Sequence, residues 1–113
     1  MSDCIFCMIA NGDIPSDIVY QDEEIVAFKD NAPQAPAHVL VVPRRHIASL
    51  DETSAEDSAV LAHIMLKIKE IAASQGMDNG YRVVINCGED GQQTVKHLHF
   101  HVLGCRKMTW PPG

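Results

Sequence analysis

No stretch of this chain stays apolar for the roughly 20 residues that a bilayer crossing needs, and its start, Met1-Ser2-Asp3-Cys4, lacks the basic patch and apolar run of a secretory leader. Neither a membrane partner nor export is expected, which leaves the cytoplasm. Positive charge is scarce, with 9 Lys and Arg against 15 Asp and Glu and a formal net charge of −6. Proteins that bind nucleic acid draw much of their affinity from neutralising backbone phosphates, so nucleic acid is not an expected partner. Any phosphate must be held by a local arrangement. Repeats, linkers and low-complexity segments are also missing, so residues 1–113 are expected to form a single domain, small enough to gain stability by self-association. Four cysteines in a chain without a leader read as thiols or metal ligands rather than a disulfide framework.

What is present is a pattern of strands, one helix, then strands. Residues 18–20 and 25–28 are β-prone runs around the polar Gln21-Asp22-Glu23-Glu24, which predicts an antiparallel hairpin. Residues 38–42 form a third strand, ended by Pro43. Thr53-Ser54-Ala55-Glu56-Asp57 supplies a hydroxyl cap with an acid three residues on, and Leu61, Ile64, Met65, Ile68, Ile71 and Ala72 follow at helical spacing up to a stop near Gly76. Residues 81–86 and 98–103 predict two more strands, joined through residues 87–94. The fold class is therefore α+β with a mainly antiparallel sheet.

Chemistry concentrates in His97-Leu98-His99-Phe100-His101-Val102-Leu103. Alternation along a strand sends three imidazoles to one face and Leu98, Phe100 and Val102 to the other. Clustered imidazoles resist being charged together, so at least one should be neutral and nucleophilic near pH 7. The competing readings are a solvated strand face and a metal site built on His-x-His. His38 opens its strand behind the stiff Pro33-Gln34-Ala35-Pro36. The loop 88–94 has two glycines that permit close backbone approach, N–H groups able to face an anion, and the hydroxyl of Thr94. Asn86 suits a phosphate contact or a loop cap, and Asp30 either a ribose contact or the start of a turn at Asn31.

A second signal is Cys4-Ile5-Phe6-Cys7, for which a redox pair, two buried small residues and a zinc half-site all remain open. Arg44 and Arg45 suit either a phosphate or a solvated turn. Met8, Met65, Met77 and Met108 are expected to fill core gaps.

Together these residues resemble the histidine-triad (HIT) superfamily, and within it the Hint branch of purine nucleoside phosphoramidases. The resemblance runs through Ile5-Phe6, Phe28-Lys29-Asp30, Pro33-Gln34-Ala35-Pro36-Ala37-His38, Val42-Pro43-Arg44-Arg45-His46-Ile47, Gly80-Tyr81-Arg82-Val83-Val84, Asn86, Asp90-Gly91, the triad and Trp110-Pro111-Pro112-Gly113. It implies a five-stranded antiparallel sheet with one long and one short helix, and a homodimer whose sheets join into ten strands. It implies His99 as the nucleophile that forms a nucleotidyl-histidine, with His101 and His38 handling phosphate and protons. Asp30 and Asn31 would meet the ribose; Asn86, Gln92, Gln93 and Thr94 the phosphate; and Trp110 the partner's site. Bacterial relatives imply a structural zinc on Cys4, Cys7, His46 and His97, and no organic cofactor. Asn31 stands where the branch often has an apolar residue, and Thr94 where serine is usual.

The expected reaction is hydrolysis of adenosine or guanosine 5′-phosphoramidates. Dinucleoside polyphosphate hydrolysis, as in the sister Fhit branch, and a non-enzymatic nucleotide sensor are the alternatives.

Overall fold

The computed structural model describes residues 3–113, so Met1 and Ser2, which open the segment read for a leader, lie outside it. Helix α1 is Ile5–Ala10, followed by strands β1 (Ile18–Gln21), β2 (Ile25–Lys29) and β3 (Ala37–Pro43), then helix α2 (Ser58–Ser74) and strands β4 (Tyr81–Val84) and β5 (Phe100–Gly104). The sheet is antiparallel throughout, in the order β1-β2-β3-β5-β4. No helix of the described residues is long and apolar enough to cross a membrane.

The sheet lies between the two helices, and the period-two alternation of its central strands decides which residue meets which helix. Ile25, Ala27, Val39, Val41, Phe100 and Val102 pack with Ile64, Ile68 and Ile71 of α2. The alternate residues Val26, Phe28, Leu40 and Val42 pack with Phe6, Ile9 and Ala10 of α1. Burying each large aliphatic side chain contributes about 1.5–3 kcal/mol. Both faces are therefore sealed, and the α1 face is the one that carries the triad.

The start and stop signals of α2 take the expected form. Ser54 and Asp57 make a capping box around the single turn Ala55–Asp57, with Ser54 N–H donating to Asp57 Oδ2 at 2.8 Å. At the other end Gly76, at φ +75°, lets Met77 N–H reach back to Ala72 O and Gly76 N–H to Ala73 O. One member of the expected apolar stripe departs from it. Met65 falls at the stripe's edge and is exposed, so it fills no core gap, whereas Met77 is buried beneath Gly104.

Two strands are shorter or shifted. β4 stops at Val84, releasing Ile85 and Asn86 to the loop. β5 starts at Phe100 rather than Leu98. The register that sets Val41 against Phe100 would bring Pro43 against Leu98, and proline has no N–H to donate. The Leu98 N–H turns instead to Ile47 O at 2.6 Å. Alternation of side chains survives this break, because Leu98 still joins Phe100 and Val102 in the α2-side core.

Both arginines of the 44–45 pair are structural rather than phosphate-facing. Arg44 donates to Ala10 O, Asp22 O and Gln21 Oε1, and Arg45 pairs with Asp57 at the α2 cap. The β1–β2 turn is fixed by Asp22, whose carboxylate accepts from Glu24 N, Ile25 N, the Tyr20 hydroxyl and His63 of α2. Burial would raise its pKa, but these bonds outweigh burial and hold it well below the carboxylate range.

Candidate functional site

The three triad imidazoles are not a solvated face. His97 is 0% exposed and His99 4%, and Phe6 of α1 stands edge-on to both rings, with centroids 6.0 and 5.0 Å away. Each ring has one nitrogen committed to a partner of fixed character, and that commitment assigns the tautomer. His99 Nδ1 lies 2.7 Å from His97 O. A carbonyl can only accept, so Nδ1 carries the hydrogen and neutral His99 keeps its lone pair on Nε2. His97 Nε2 lies 2.8 Å from Pro43 O, so its lone pair is on Nδ1.

His38 works in the opposite sense. The backbone N–H of Gln34 donates to its Nδ1 at 3.0 Å, which places the hydrogen of neutral His38 on Nε2. That Nε2–H donates to His101 Nδ1 at 2.9 Å, and Asp30 Oδ2 stands 3.4 Å from the same nitrogen. His101 is thereby left with its hydrogen on Nε2. A directed chain runs from the Gln34 amide through His38 to His101.

His99 and His101 open on a groove of about 200 Å³. Its floor is Ile5, Phe6, Ile9, Phe28 and Leu40, and its polar rim includes Asp30, Asn31 and Thr94. The expected substrate residues divide here. Asp30, Asn31, Thr94, His99 and His101 line the groove, with His38 behind His101. Asp30 also makes the alternative contact, accepting from Ala32 N at 2.8 Å to start the turn. Asn86, Gln92, Gln93 and Trp110 are not among the groove's lining residues. Gln93 spends its side chain on the loop, donating to Ala48 O and Val95 O while accepting from Gly88 N–H. The N–H groups of Gln92 and Gln93 go to Glu89 O and Gly88 O, so these donors do not form an anion nest. The close approach at Gly91 is to the chain itself, since a Cβ there would lie 2.5 Å from Cys87 O. Trp110 is 79% exposed and lies against Arg82 of β4.

Beside the groove, Cys4, Cys7, His46 and His97 bring four ligand atoms within 4.8 Å of one another. His97 Nδ1 is 3.2 Å from His46 Nδ1, 3.3 Å from Cys4 Sγ and 3.5 Å from Cys7 Sγ, and Cys7 Sγ is 3.3 Å from His46 Nδ1. Zn–N bonds of about 2.0–2.1 Å and Zn–S bonds of about 2.3 Å at tetrahedral angles separate ligands by about 3.3–3.8 Å. The donor set and its spacing fit zinc. The His97 Nε2–H to Pro43 O bond is the outer contact that orients such a ligand.

Burial, reinforced by His99 and His38 and opposed by Asp30, pushes the His101 pKa down to about 4. His38 is lowered by burial, again against Asp30. An unfolded histidine titrates near pH 6.5, so between about pH 6.5 and 4 the unfolded chain binds more protons than the folded one. Stability should fall as pH drops through that window. Thermal melts across it should show a shallower pH slope for His101→Gln than for the wild type; equal slopes would refute the assignment.

What was not legible in advance is how the rings are held. The Gln34 amide, the carbonyls of His97 and Pro43, and the Phe6 edge are products of tertiary folding, although Phe6 and Gln34 both lie in segments that carry the resemblance.

Comparison with known proteins agrees with this geometry. The family model described as "Scavenger mRNA decapping enzyme C-term binding" matches residues 3–110. An uncharacterised HIT-like protein of Synechococcus elongatus is 54% identical over 111 residues, covering 98% of this chain and 97% of its own. The crystal structure of a HIT family hydrolase from Legionella pneumophila superposes with a TM-score of 0.95 at 46% identity, covering 98% of this chain and 100% of that one. A Zn-bound histidine triad family protein from Mycobacterium smegmatis has a TM-score of 0.79 at 35% identity, covering 93% and 76%. The sheet order, the buried imidazoles and these matches over nearly the whole chain make it a member of the histidine-triad (HIT) family.

Proposed function

We propose that this protein is a cytoplasmic purine nucleoside 5′-phosphoramidase of the Hint branch that hydrolyses a P–N bond through a nucleotidyl-His99 intermediate. The observation that carries the reading is His99 itself: a buried imidazole whose Nδ1 is committed to His97 O, so that its neutral form presents a lone pair on Nε2 beside a groove. The apolar floor of Phe6, Ile9, Phe28 and Leu40 suits a flat base, the Asp30 carboxylate and Asn31 suit ribose hydroxyls, and Thr94 offers a hydroxyl to a phosphoryl oxygen.

In the first step His99 Nε2 attacks phosphorus, the N–P bond forms and the bond to the amine breaks. The departing nitrogen leaves with a proton drawn from solvent and handed on through His101 Nε2, the His38–His101 pair being charged only in transit, because an unprotonated amide is a poor leaving group. The pair is neutral again beside the positive charge of the phosphorylated imidazole, whose Nδ1–H remains on His97 O. In the second step water attacks phosphorus and gives a proton through the pair to solvent, the His99–phosphorus bond breaks, and AMP or GMP leaves. One displacement thus becomes two.

Cys4, Cys7, His46 and His97 are the residues that would hold a structural zinc. Such an ion supplies rigidity rather than a reacting group. The proposed hydrolysis needs no organic cofactor. We also propose a homodimer with a ten-stranded sheet: β4 stands at the end of the sheet order, a ready template for pairing, and the exposed Trp110 lies beside it on Arg82.

The test is AMP release from adenosine 5′-phosphoramidate and, separately, from a diadenosine polyphosphate. Faster release from the phosphoramidate is expected. Preferential cleavage of the dinucleotide would move the protein to the sister branch, and no release from either would leave nucleotide binding alone.

A further inference from the structure

His101 reaches its catalytic tautomer because the Gln34 amide fixes His38, and this raises the question of what fixes Gln34. Residue 34 lies in an exposed loop whose prolines, Pro33 and Pro36, have no N–H to anchor it. Gln34 Nε2 bonds within the loop, to Ala32 O at 2.9 Å. On its other side, the Gln34 carbonyl accepts from Arg106 Nε–H at 3.0 Å. Arg106 follows β5, the strand that carries His101. It is aimed back at the loop by Cys105, which stands in the left-handed region at φ +68°, uncommon for a residue with a side chain. Arg106 Nη1 also donates to Lys107 O at 3.3 Å, which holds its guanidinium close to the turn.

We infer that Arg106 is a positioning residue for the His38–His101 pair, acting through the backbone of Gln34. It ties the loop that orients His38 to the strand that presents His101, so the two imidazoles keep a single donor direction. Arg106 is exposed and lies outside the lining of the substrate groove, so its effect on the reaction must pass through the loop. With the guanidinium removed, Gln34 N–H leaves His38 Nδ1 for part of the time, the hydrogen of His38 can move to Nδ1, and His101 Nδ1 loses its donor. The kinetic half of the inference rests on the proposed phosphoramidase reading; the tautomer half does not.

The experiment labels the histidines with ¹⁵N and reads ring tautomers by long-range correlation, alongside kinetics on adenosine 5′-phosphoramidate, for the wild type, Arg106→Ala and Arg106→Lys. The wild type should show His38 with Nε2 protonated and Nδ1 bare. Arg106→Ala should show a mixture, with kcat lower by about tenfold, a fraction of what general acid catalysis supplies, and KM within about twofold. Arg106→Lys, still a donor, should recover part of both signals, as should added guanidinium with Arg106→Ala. An unchanged His38 tautomer in Arg106→Ala overturns the inference, whatever happens to the rate. A wild type that turns over no phosphoramidate while Arg106→Ala still scrambles His38 would sink the proposed reaction and leave the positioning role standing.

Discussion

Replacing His99 with alanine is expected to reduce AMP release by on the order of 10⁴ to 10⁶, the range seen when a covalent nucleophile is removed from an otherwise intact site. Binding of AMP, followed by calorimetry, should weaken only a few-fold. The separation follows from the geometry. The groove's affinity is spread over Phe6, Ile9, Phe28, Leu40, Asp30 and Asn31, and Phe6, which stands edge-on to the His99 ring, is also held by Phe28 and His97, whereas the imidazole lone pair directed at phosphorus is that of His99 Nε2. His101 cannot substitute, because its Nδ1 is occupied by the His38 Nε2–H and its Nε2 carries a hydrogen. Wild type mixed with excess substrate and quenched in denaturant at alkaline pH, where the P–N bond to imidazole survives, should gain the mass of one nucleotidyl group, and the variant none. A variant that kept wild-type turnover would exclude covalent catalysis at this residue.

Much of this site could be read from the chain because alternation is a strong constraint. His97, His99 and His101 had to share a face wherever Leu98, Phe100 and Val102 shared the opposite one, and that held even where the hydrogen-bond ladder stopped at Pro43. The hairpin, the capping box and the Gly76 stop were legible for the same reason: each is local chemistry repeated at a fixed spacing. The loop 88–94 was not. Its glycine and amide content suits an anion nest or a self-braced turn equally, and the choice was made by Gln93 reaching Ala48 O, a contact with a distant segment. Arg44 and Arg45 show the same limit, since their partners Ala10 and Asp57 come from other elements. Trp110 lies against Arg82 within its own chain and is not among the residues that line the groove.

Loss of the proposed zinc is the other change with a large expected effect, and it joins the two halves of the α1 face. Purified protein is expected to carry about one zinc per chain, and the Cys4→Ser/Cys7→Ser double variant none. Without the ion, His46 and His97 would place two nitrogen lone pairs 3.2 Å apart, which is unfavourable unless one is protonated or swings away. Structural zinc contributes about 10–16 kcal/mol of apparent binding free energy in small peptides. Here the sheet has two apolar layers of its own, so the fold should survive with a loss of roughly 3 kcal/mol, read as a fall of about 10–20 °C in melting temperature. The catalytic consequence is separate from that loss. His97 would be a ligand through Nδ1 and is, through its own carbonyl, the group that fixes the His99 tautomer, so loosening its ring loosens the acceptor of the His99 Nδ1–H. Turnover by the metal-free variant, measured well below its melting temperature, should fall by about 10- to 100-fold, the usual cost of disturbing outer contacts of a site. A variant that melts early yet turns over normally would confine the metal to stability. Protein purified without metal but fully stable and active would remove zinc from the account, and would leave the Cys4–Cys7 pair to be explained by its packing beside Phe6.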